Sequence, residues 1–277
     1  FRRPEITFYV NGAYLIAGSL ELKDLSYLCQ LSGASVQKKV LEAKGMLNEN
    51  QQMAILQPVA IDSHQIANPW ANYSIYLLNL LLPGVLQLIV LMITIYSVGT
   101  ELKEKSAPLW IETAGQSIFT ATLGKLFPFT LLFTMLGFIG NLVLYRFMHF
   151  PLNGSLIIMC FSTFLLVLTH QAIGIFIIGL LPVLRDAISL GAFYGLLGFT
   201  YAGFTFPIEG MPYTVQIFAG LFPLRHYFLV YVNEALNGTG WAQSLHNLAI
   251  LCAFLPLPLL VLNRLKKAAI HLKYPTK

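Results

Sequence analysis

Five stretches of this chain are too long, too apolar and too poor in charge to belong to a water-soluble domain. They run roughly over 75–98, 126–145, 155–181, 187–206 and 243–262, and none carries Asp, Glu, Lys or Arg well inside it. Crossing a bilayer as a helix takes about 20 apolar residues, and all five runs meet that need. Over the whole chain only 10% of the 277 residues are charged and 56% are hydrophobic. Soluble domains carry about 25% charged residues, so this chain cannot cover itself with a water-facing surface. The expected fold is an all-α polytopic membrane protein.

Residues 1–72 read differently. Ile6 to Val10 is rich in strand formers and is followed by the turn signal Asn11-Gly12. Leu22, Leu25, Leu28 and Leu31, then Val36, Val40 and Leu41, alternate with charges in a helical pattern that Gly33 is expected to break. "PVAID" (58–62) is a short strand candidate, and "NPW" (68–70) interrupts the chain before the first long apolar run. These features predict a small, partial α/β domain over 1–72, joined to a transmembrane domain over 73–277.

Basic residues orient the spans. Beyond residue 72, Lys103, Lys105, Lys125, Arg185, Arg264, Lys266, Lys267, Lys273 and Lys277 fall in one set of loops, and only Arg146 and Arg225 in the other. By the positive-inside rule, the 99–125 loop, the 182–186 turn and the C-terminus are expected in the cytoplasm. The 1–72 domain, the 146–154 loop and the 207–242 segment are then expected outside. The chain starts at Phe1 without Met or a signal sequence, and five spans leave its first domain outside with nothing to carry it there. We therefore expect a fragment or processed chain with five visible spans of six. The net charge of +5 is distributed over loop ends and not along one face, so nucleic acid is not an expected partner.

The segment after the fourth run stays apolar yet is broken by Pro207, Pro212 and Pro223 and then shows Arg225-His226. Pro207 and Pro212 are expected to end the helix begun at Ala187. After Pro223 the spacing of Leu224, Phe228, Leu229, Val232 and Leu236 is helical again, until "NGTG" (237–240) stops it. Unsatisfied backbone cannot face lipid, so a broken segment at this depth must be covered by protein or line a cavity. The reading is a re-entrant outer element over 207–240: two short helices that dip into the outer leaflet and return, with Arg225, His226 and Glu234 near the interface, forming a lid or gate to which Glu209 and Met211 also belong.

Other motifs bear on chemistry and packing. Gly124-Lys125 is the nearest approach to a phosphate-binding loop, but Phe119 takes the first glycine position and Leu126 replaces the hydroxyl. "LSG" (31–33) lies in the outside domain and is a chance match. Cys29, Cys160 and Cys252 stand far apart, and the histidines at 64, 149, 170, 226, 246 and 271 are scattered, which favours neither a disulfide framework nor a metal or nucleophile constellation. "NYS", "NGS" and "NGT" at 72, 153 and 237 match glycosylation sequons by chance. Gly191, Gly195, Gly198 and Ala202 recur at spacings of 4, 3 and 4, a small-residue stripe that suits close helix packing within the subunit or a dimer seam. Asn79, Gln87, His170 and Gln171 are polar positions inside spans, candidates for a pathway or for satisfied neighbours. In the 99–125 loop, Glu101, Lys103, Glu104 and Lys105 precede Leu109, Trp110 and Ile111. That order suits a short helix lying across the membrane face and docking its apolar side into a partner.

Three stretches together resemble a known family, the membrane subunits of ABC exporters of the type-2 (type V) permease class. "GFTFPIEGMP" followed by "LFPLRHYFLVYVNEALNGTG" is similar to the family's proline-containing element and aromatic helix between its last two spans. "GTELKEKSAPLWIETAGQSIFTATLGKLFPF" (99–129) resembles its cytoplasmic loop, and "NPWANYSIYLLNLLLPG" (68–84) the return from an extracytoplasmic domain in the bacterial branch. The resemblance implies a six-span subunit in the bacterial inner membrane that forms a homo- or heterodimer and binds separate cytoplasmic ABC ATPases, a periplasmic adaptor being a further candidate partner. ATP and Mg would sit in those partners, with no cofactor or catalytic residue in this chain. It also implies that Glu101 to Trp110 form a coupling helix. The chain departs from the family pattern by lacking the first span. The rival readings are a non-transporting membrane scaffold and a secondary transporter, the latter disfavoured by the missing carboxylates in the spans and the lack of an inverted repeat.

Overall fold

The computed structural model describes residues 5–11, 15–43, 60–66, 73–204, 207–271 and 274. The chain divides into two compact units, 1–76 with 205–207, and 77–204 with 208–277.

In the first unit, strands β1 (Glu5–Asn11) and β2 (Ala60–Ile66) pair in parallel, from Glu5 opposite Ala60 to Asn11 opposite Ile66. Parallel strands need a crossover, and the 29-residue helix α1 (Leu15–Ala43) lies between them in sequence. β2 starts at Ala60 and runs past Asp62 to Ile66, so "PVAID" marks only its beginning. Pro58, Val59, Gly12 and 68–70 lie outside the described residues. α1 also runs unbroken through Gly33, which is buried. The leucines spaced by three advance only about 300° per step on a helix of 3.6 residues per turn, so they drift around the axis. Leu25, Leu28 and Leu31 are accordingly exposed rather than gathered on one covered face.

The second unit is helical. Helix α2 (Tyr73–Lys103) is followed by the short α3 (Ala107–Thr113) and by α4 (Ile118–Leu142), which continues as a π-helical turn through Phe147. Next come α5 (Leu156–Leu180), α6 (Leu184–Thr200), a 3-10 turn (Ile208–Gly210), α7 (Tyr213–Ala219) and α8 (Pro223–Tyr231), the last extended by a π turn to Asn237. The chain closes with α9 (Trp241–Ala253), a 3-10 turn (Leu257–Leu260) and α10 (Leu262–His271). Among the described residues, four helical runs are long and apolar enough to cross a membrane, namely 73–103, 118–147, 156–180 and 241–271, or five if the bent pair α7–α8 counts as one.

α5 is the hub. From Ser162 to Gly179 almost every residue is buried, with α4, α6, α8, α9 and α10 packed around it. Against α2 the contact depends on Gly174, where a Cβ would come within 2.8 Å of the Thr94 side chain. α4 and the run 241–271 leave most of their side chains outward, as lipid-facing spans do.

Three boundaries differ from the sequence reading. α4 begins at Ile118 and not near 126, because Ser117 accepts a hydrogen bond from the Thr120 N–H at 3.3 Å and caps it there. The expected span 187–206 is a helix of 17 residues, Leu184–Thr200, about 26 Å long at 1.5 Å per residue. It ends before either Pro207 or Pro212, at a turn where Gly203 takes φ +84°, a conformation that favours glycine. Pro212 instead precedes α7 and starts it. The expected span 243–262 is interrupted after Ala253, where Pro256 and Pro258 cannot donate to a helical ladder.

Candidate functional site

The two ends of the helical unit are built in different ways. At the lysine-rich end, the carboxylate of Glu101 in the last turn of α2 is held between two donors from later in the chain. Lys125 of α4 forms an ion pair with one oxygen and the Ser106 hydroxyl donates to the other. Both charged side chains are about one-fifth exposed, 18% for Glu101 and 23% for Lys125, so their pairing is shielded from solvent more than a surface pair would be. The Trp110 ring lies over the same ammonium, 5.6 Å from its centroid, within cation–π range. Glu101 and Trp110 are thus brought together, with Lys125 between them. Lys103, Glu104 and Lys105 point outward and are exposed, and Lys105 turns the chain with φ +60°.

α3 presents less apolar surface outward than its sequence suggests. Ala107 and Ile111 are each 1% exposed and join one core with Leu102 of α2, Ile118 and Leu126 of α4, and Leu265 and Ala269 of α10. Leu109, 64% exposed, is the apolar residue left for a partner. Beside it an open groove of about 390 Å³ runs between Trp110 and Lys125, over Ala121 and Gly124. Other loops meet here too. Lys266 of α10 donates to the Gln116 carbonyl at 2.8 Å, and the Tyr274 hydroxyl accepts from the Leu184 N–H at 2.9 Å. The 99–125 loop, the 182–186 turn and the C-terminal segment therefore share one end.

The opposite end is organised around the bent helix pair α7–α8. α7 and the helix beginning at Pro223 bend by 92° at their junction, with Pro223 at the first position of α8, where a missing N–H costs nothing. The bend is filled by rings. Tyr201 stacks on Phe222 at 5.4 Å between centroids, Tyr194 meets Phe222 at 5.1 Å with the rings tilted by 35°, and Phe218 meets Tyr201 and Phe222 edge-on at 5.1 and 5.4 Å. Tyr194 also donates to the Leu221 carbonyl at 2.7 Å. Arg225 reaches Glu209 at 3.0 Å, Gln216 donates to the Glu209 and Met211 carbonyls, and His226 sits between the Gly220 carbonyl and the Asn247 amide. Glu209, Met211, Pro212, Pro223, Arg225 and His226 thus fall in one neighbourhood.

Glu234, expected near the interface, is instead buried and anchors this end. Glu234, 1% exposed, accepts from the Ser244 hydroxyl at 2.7 Å and from the Ser155 N–H at 3.2 Å. Asn153 donates its amide to the Leu236 carbonyl at 2.7 Å, which ties up the side chain that its sequon would modify. Glu234 and Gly154, where a Cβ would meet the Glu234 carbonyl at 2.6 Å, clamp the 146–155 loop to α8. The i, i+4 spacing of Phe218 and Phe222 was the available signal for the ring cluster.

The small residues of α6 face α2. A Cβ on Gly191 would come within 2.4 Å of Ile95, on Gly195 within 2.8 Å of Leu88, and on Gly198 within 3.1 Å of Gln87. Gly84 and Gly99 of α2 receive Phe199 and Leu184 in turn, so the two helices run antiparallel with glycines on both sides of the seam. The stripe serves packing within the subunit, and Ala202 lies beyond the helix end.

The four polar positions within spans are not gathered. Gln87 donates weakly to the Gly195 carbonyl at 3.4 Å in the α2–α6 seam. Gln171 accepts from Thr130 at 2.8 Å between α4 and α5, and the His170 Nδ1 meets the Leu166 carbonyl of its own helix at 2.8 Å. Asn79 lines a cavity between α2, α4, α5 and α8.

The family model described as ABC-2 family transporter protein matches residues 1–262 of the chain. No curated protein matches it.

Proposed function

The chain belongs to the ABC-2 transporter family and is a transmembrane transporter subunit; from that premise we propose that it is the permease of an ATP-driven exporter. It pairs with a second permease subunit, identical or related, and takes its energy from a separate cytoplasmic ABC ATPase that binds ATP and Mg. In this reading the lysine-rich end and the C-terminus face the cytoplasm, in a bacterial inner membrane, and the 1–72 domain and the α7–α8 element face outward.

The observation that supports the coupling most is the way α3 is built in. Its inner face shares a core with α2, α4 and α10, and Glu101, Lys125 and Trp110 tie its two flanks together. Close-packed interiors transmit displacement instead of absorbing it, so an ATPase pressing on Leu109 and the adjoining groove moves three helices at once. At the far end, the ring-filled bend between α7 and α8 acts as the lid that those helices open and close. Transport is then alternating access, driven by ligands that bind two states unequally.

The test is purification of the full chain from native membranes. A co-purifying ATPase with a phosphate-binding loop, lost on Leu109→Glu, is the expected result. An intact chain that retains no ATPase contradicts the reading.

A further inference from the structure

Helix α10 carries positive charge and none of the opposite sign. Glu234 is the last acidic residue of the sequence, and Arg264, Lys266, Lys267, Lys273 and Lys277 all follow it. One side of the helix is fixed: Leu262, Leu265 and Ala269 are buried in the core shared with α2, α3 and α4. On a helix of 3.6 residues per turn, Asn263, Arg264, Lys267, Ile270 and His271 fall within about 120° of arc on the other side, and all five are exposed. Lys266 sits at the edge of this stripe and turns back to the bundle, donating to the Gln116 carbonyl at 2.8 Å.

Among the described residues the ion pairs are Glu101 with Lys125, Asp186 with Arg185, and Glu209 with Arg225. Arg264 and Lys267 therefore have no acidic partner there. Two cations held outward on a helix whose inner face is packed make a stripe that attracts anions.

Depth indicates which anion. α9 opens at Trp241, 66% exposed, and indoles favour the membrane–water interface. From there to Leu260 is about 30 Å at 1.5 Å per residue, the thickness of the hydrocarbon core. Leu259 and Leu260, 58 and 75% exposed, are the last exposed leucines before the charges begin at Arg264. The stripe thus starts at the level of the lipid headgroups. Ile270, 47% exposed, lies beside Lys267 on it, and an apolar side chain among cations suits the boundary between acyl chains and phosphates. We infer that the exposed stripe of α10 binds anionic phospholipid, with Arg264 and Lys267 holding the headgroup phosphate and Leu259 and Leu260 against the acyl chains. The inference rests on the chain being a membrane protein, and it stands whichever face is cytoplasmic and whether or not the protein is an exporter.

The experiment places the full chain in phosphatidylcholine nanodiscs with a trace of phosphatidylglycerol carrying a photoreactive group near the glycerol. Phosphatidylcholine with the same group is the neutral control. One cation near a membrane surface is worth about fivefold in binding, so phosphatidylglycerol should label 257–271 about 25-fold more than the control. Lys267→Gln should cut that excess about fivefold, and Arg264→Gln with Lys267→Gln should bring the two probes close to parity, with thermal unfolding in phosphatidylcholine unchanged. Raising salt from about 0.1 M to about 1 M, which shortens the screening length from about 10 Å to about 3 Å, should reduce the excess as well. Arg185→Gln, which removes a charge at the same end outside the stripe, should leave it as it was. Equal labelling by both probes, labelling that ignores the α10 variants, or a loss as large in Arg185→Gln overturns the inference. So does a co-purifying protein that the double variant sheds while lipid labelling stays the same, since the stripe would then serve that protein.

Discussion

Glu101 at the end of α2 and Lys125 two turns into α4, 24 residues apart in sequence, form an ion pair that closes the loop bearing α3. The pair is partly buried, and the Ser106 hydroxyl uses the second carboxylate oxygen. Removing one partner leaves the other poorly solvated, which costs more than an exposed pair is worth.

Glu101→Gln and Lys125→Met should therefore each destabilise the subunit by about 1–3 kcal/mol. The double variant should cost less than the sum. A double-mutant cycle on thermal unfolding in detergent measures this coupling, and strict additivity would show that the two side chains do not interact.

Function should respond differently from stability. Trp110→Ala removes the ring over Lys125 but leaves Ile111 in the core, so the subunit should assemble with its ATPase and hydrolyse ATP while transport falls about tenfold. Glu101→Gln should uncouple in the same sense. Wild-type transport per ATP in both variants would remove α3 from the coupling path.

The glycines divide into two classes that sequence alone does not distinguish. Gly195→Leu drives a side chain into Leu88, where even a Cβ would stand at 2.8 Å, and should cost about 1–3 kcal/mol by overpacking. Gly124→Ala meets open space and should be neutral or stabilise by about 0.5–1 kcal/mol, the helix preference of Ala over Gly. Unfolding midpoints compare them directly.

What holds the α7–α8 bend is its rings, not its charges. Glu209 is 62% exposed, so Glu209→Gln should change stability by less than about 1 kcal/mol. Phe222, 2% exposed and in contact with three other rings, should cost about 3–5 kcal/mol as Phe222→Ala. If the bend serves as the lid, proteolysis between 201 and 222 should accelerate in the Phe222 variant alone.

These contrasts also mark what the sequence could tell. Apolar runs free of charge located the membrane-length helices, because the lack of water in lipid leaves no other use for them. Pro223 and "NGTG" bounded α8 because proline and left-handed glycine act locally; Gly238 indeed takes φ +61°. The end of α6 is set not by Pro207 or Pro212 but by the turn at Gly203, whose positive φ depends on the tertiary path. The pairing of Glu234 with Ser155 and Ser244 is not legible in the sequence, since one donor caps α5 and the other lies in α9. Asn79, Gln87, His170 and Gln171 looked alike as polar residues in spans, and only packing separates a seam contact from a cavity wall.

The measurement that bears most directly on the coupling account is the sidedness of two positions. With Cys29, Cys160 and Cys252 changed to Ser, single cysteines at Lys103 and Glu209 are labelled with an impermeant maleimide in intact cells and again in inverted vesicles. The account predicts that Glu209→Cys reacts in cells and Lys103→Cys only in inverted vesicles, placing α3 against a cytoplasmic ATPase and the α7–α8 bend at the far face. Labelling of both from the same side would contradict it.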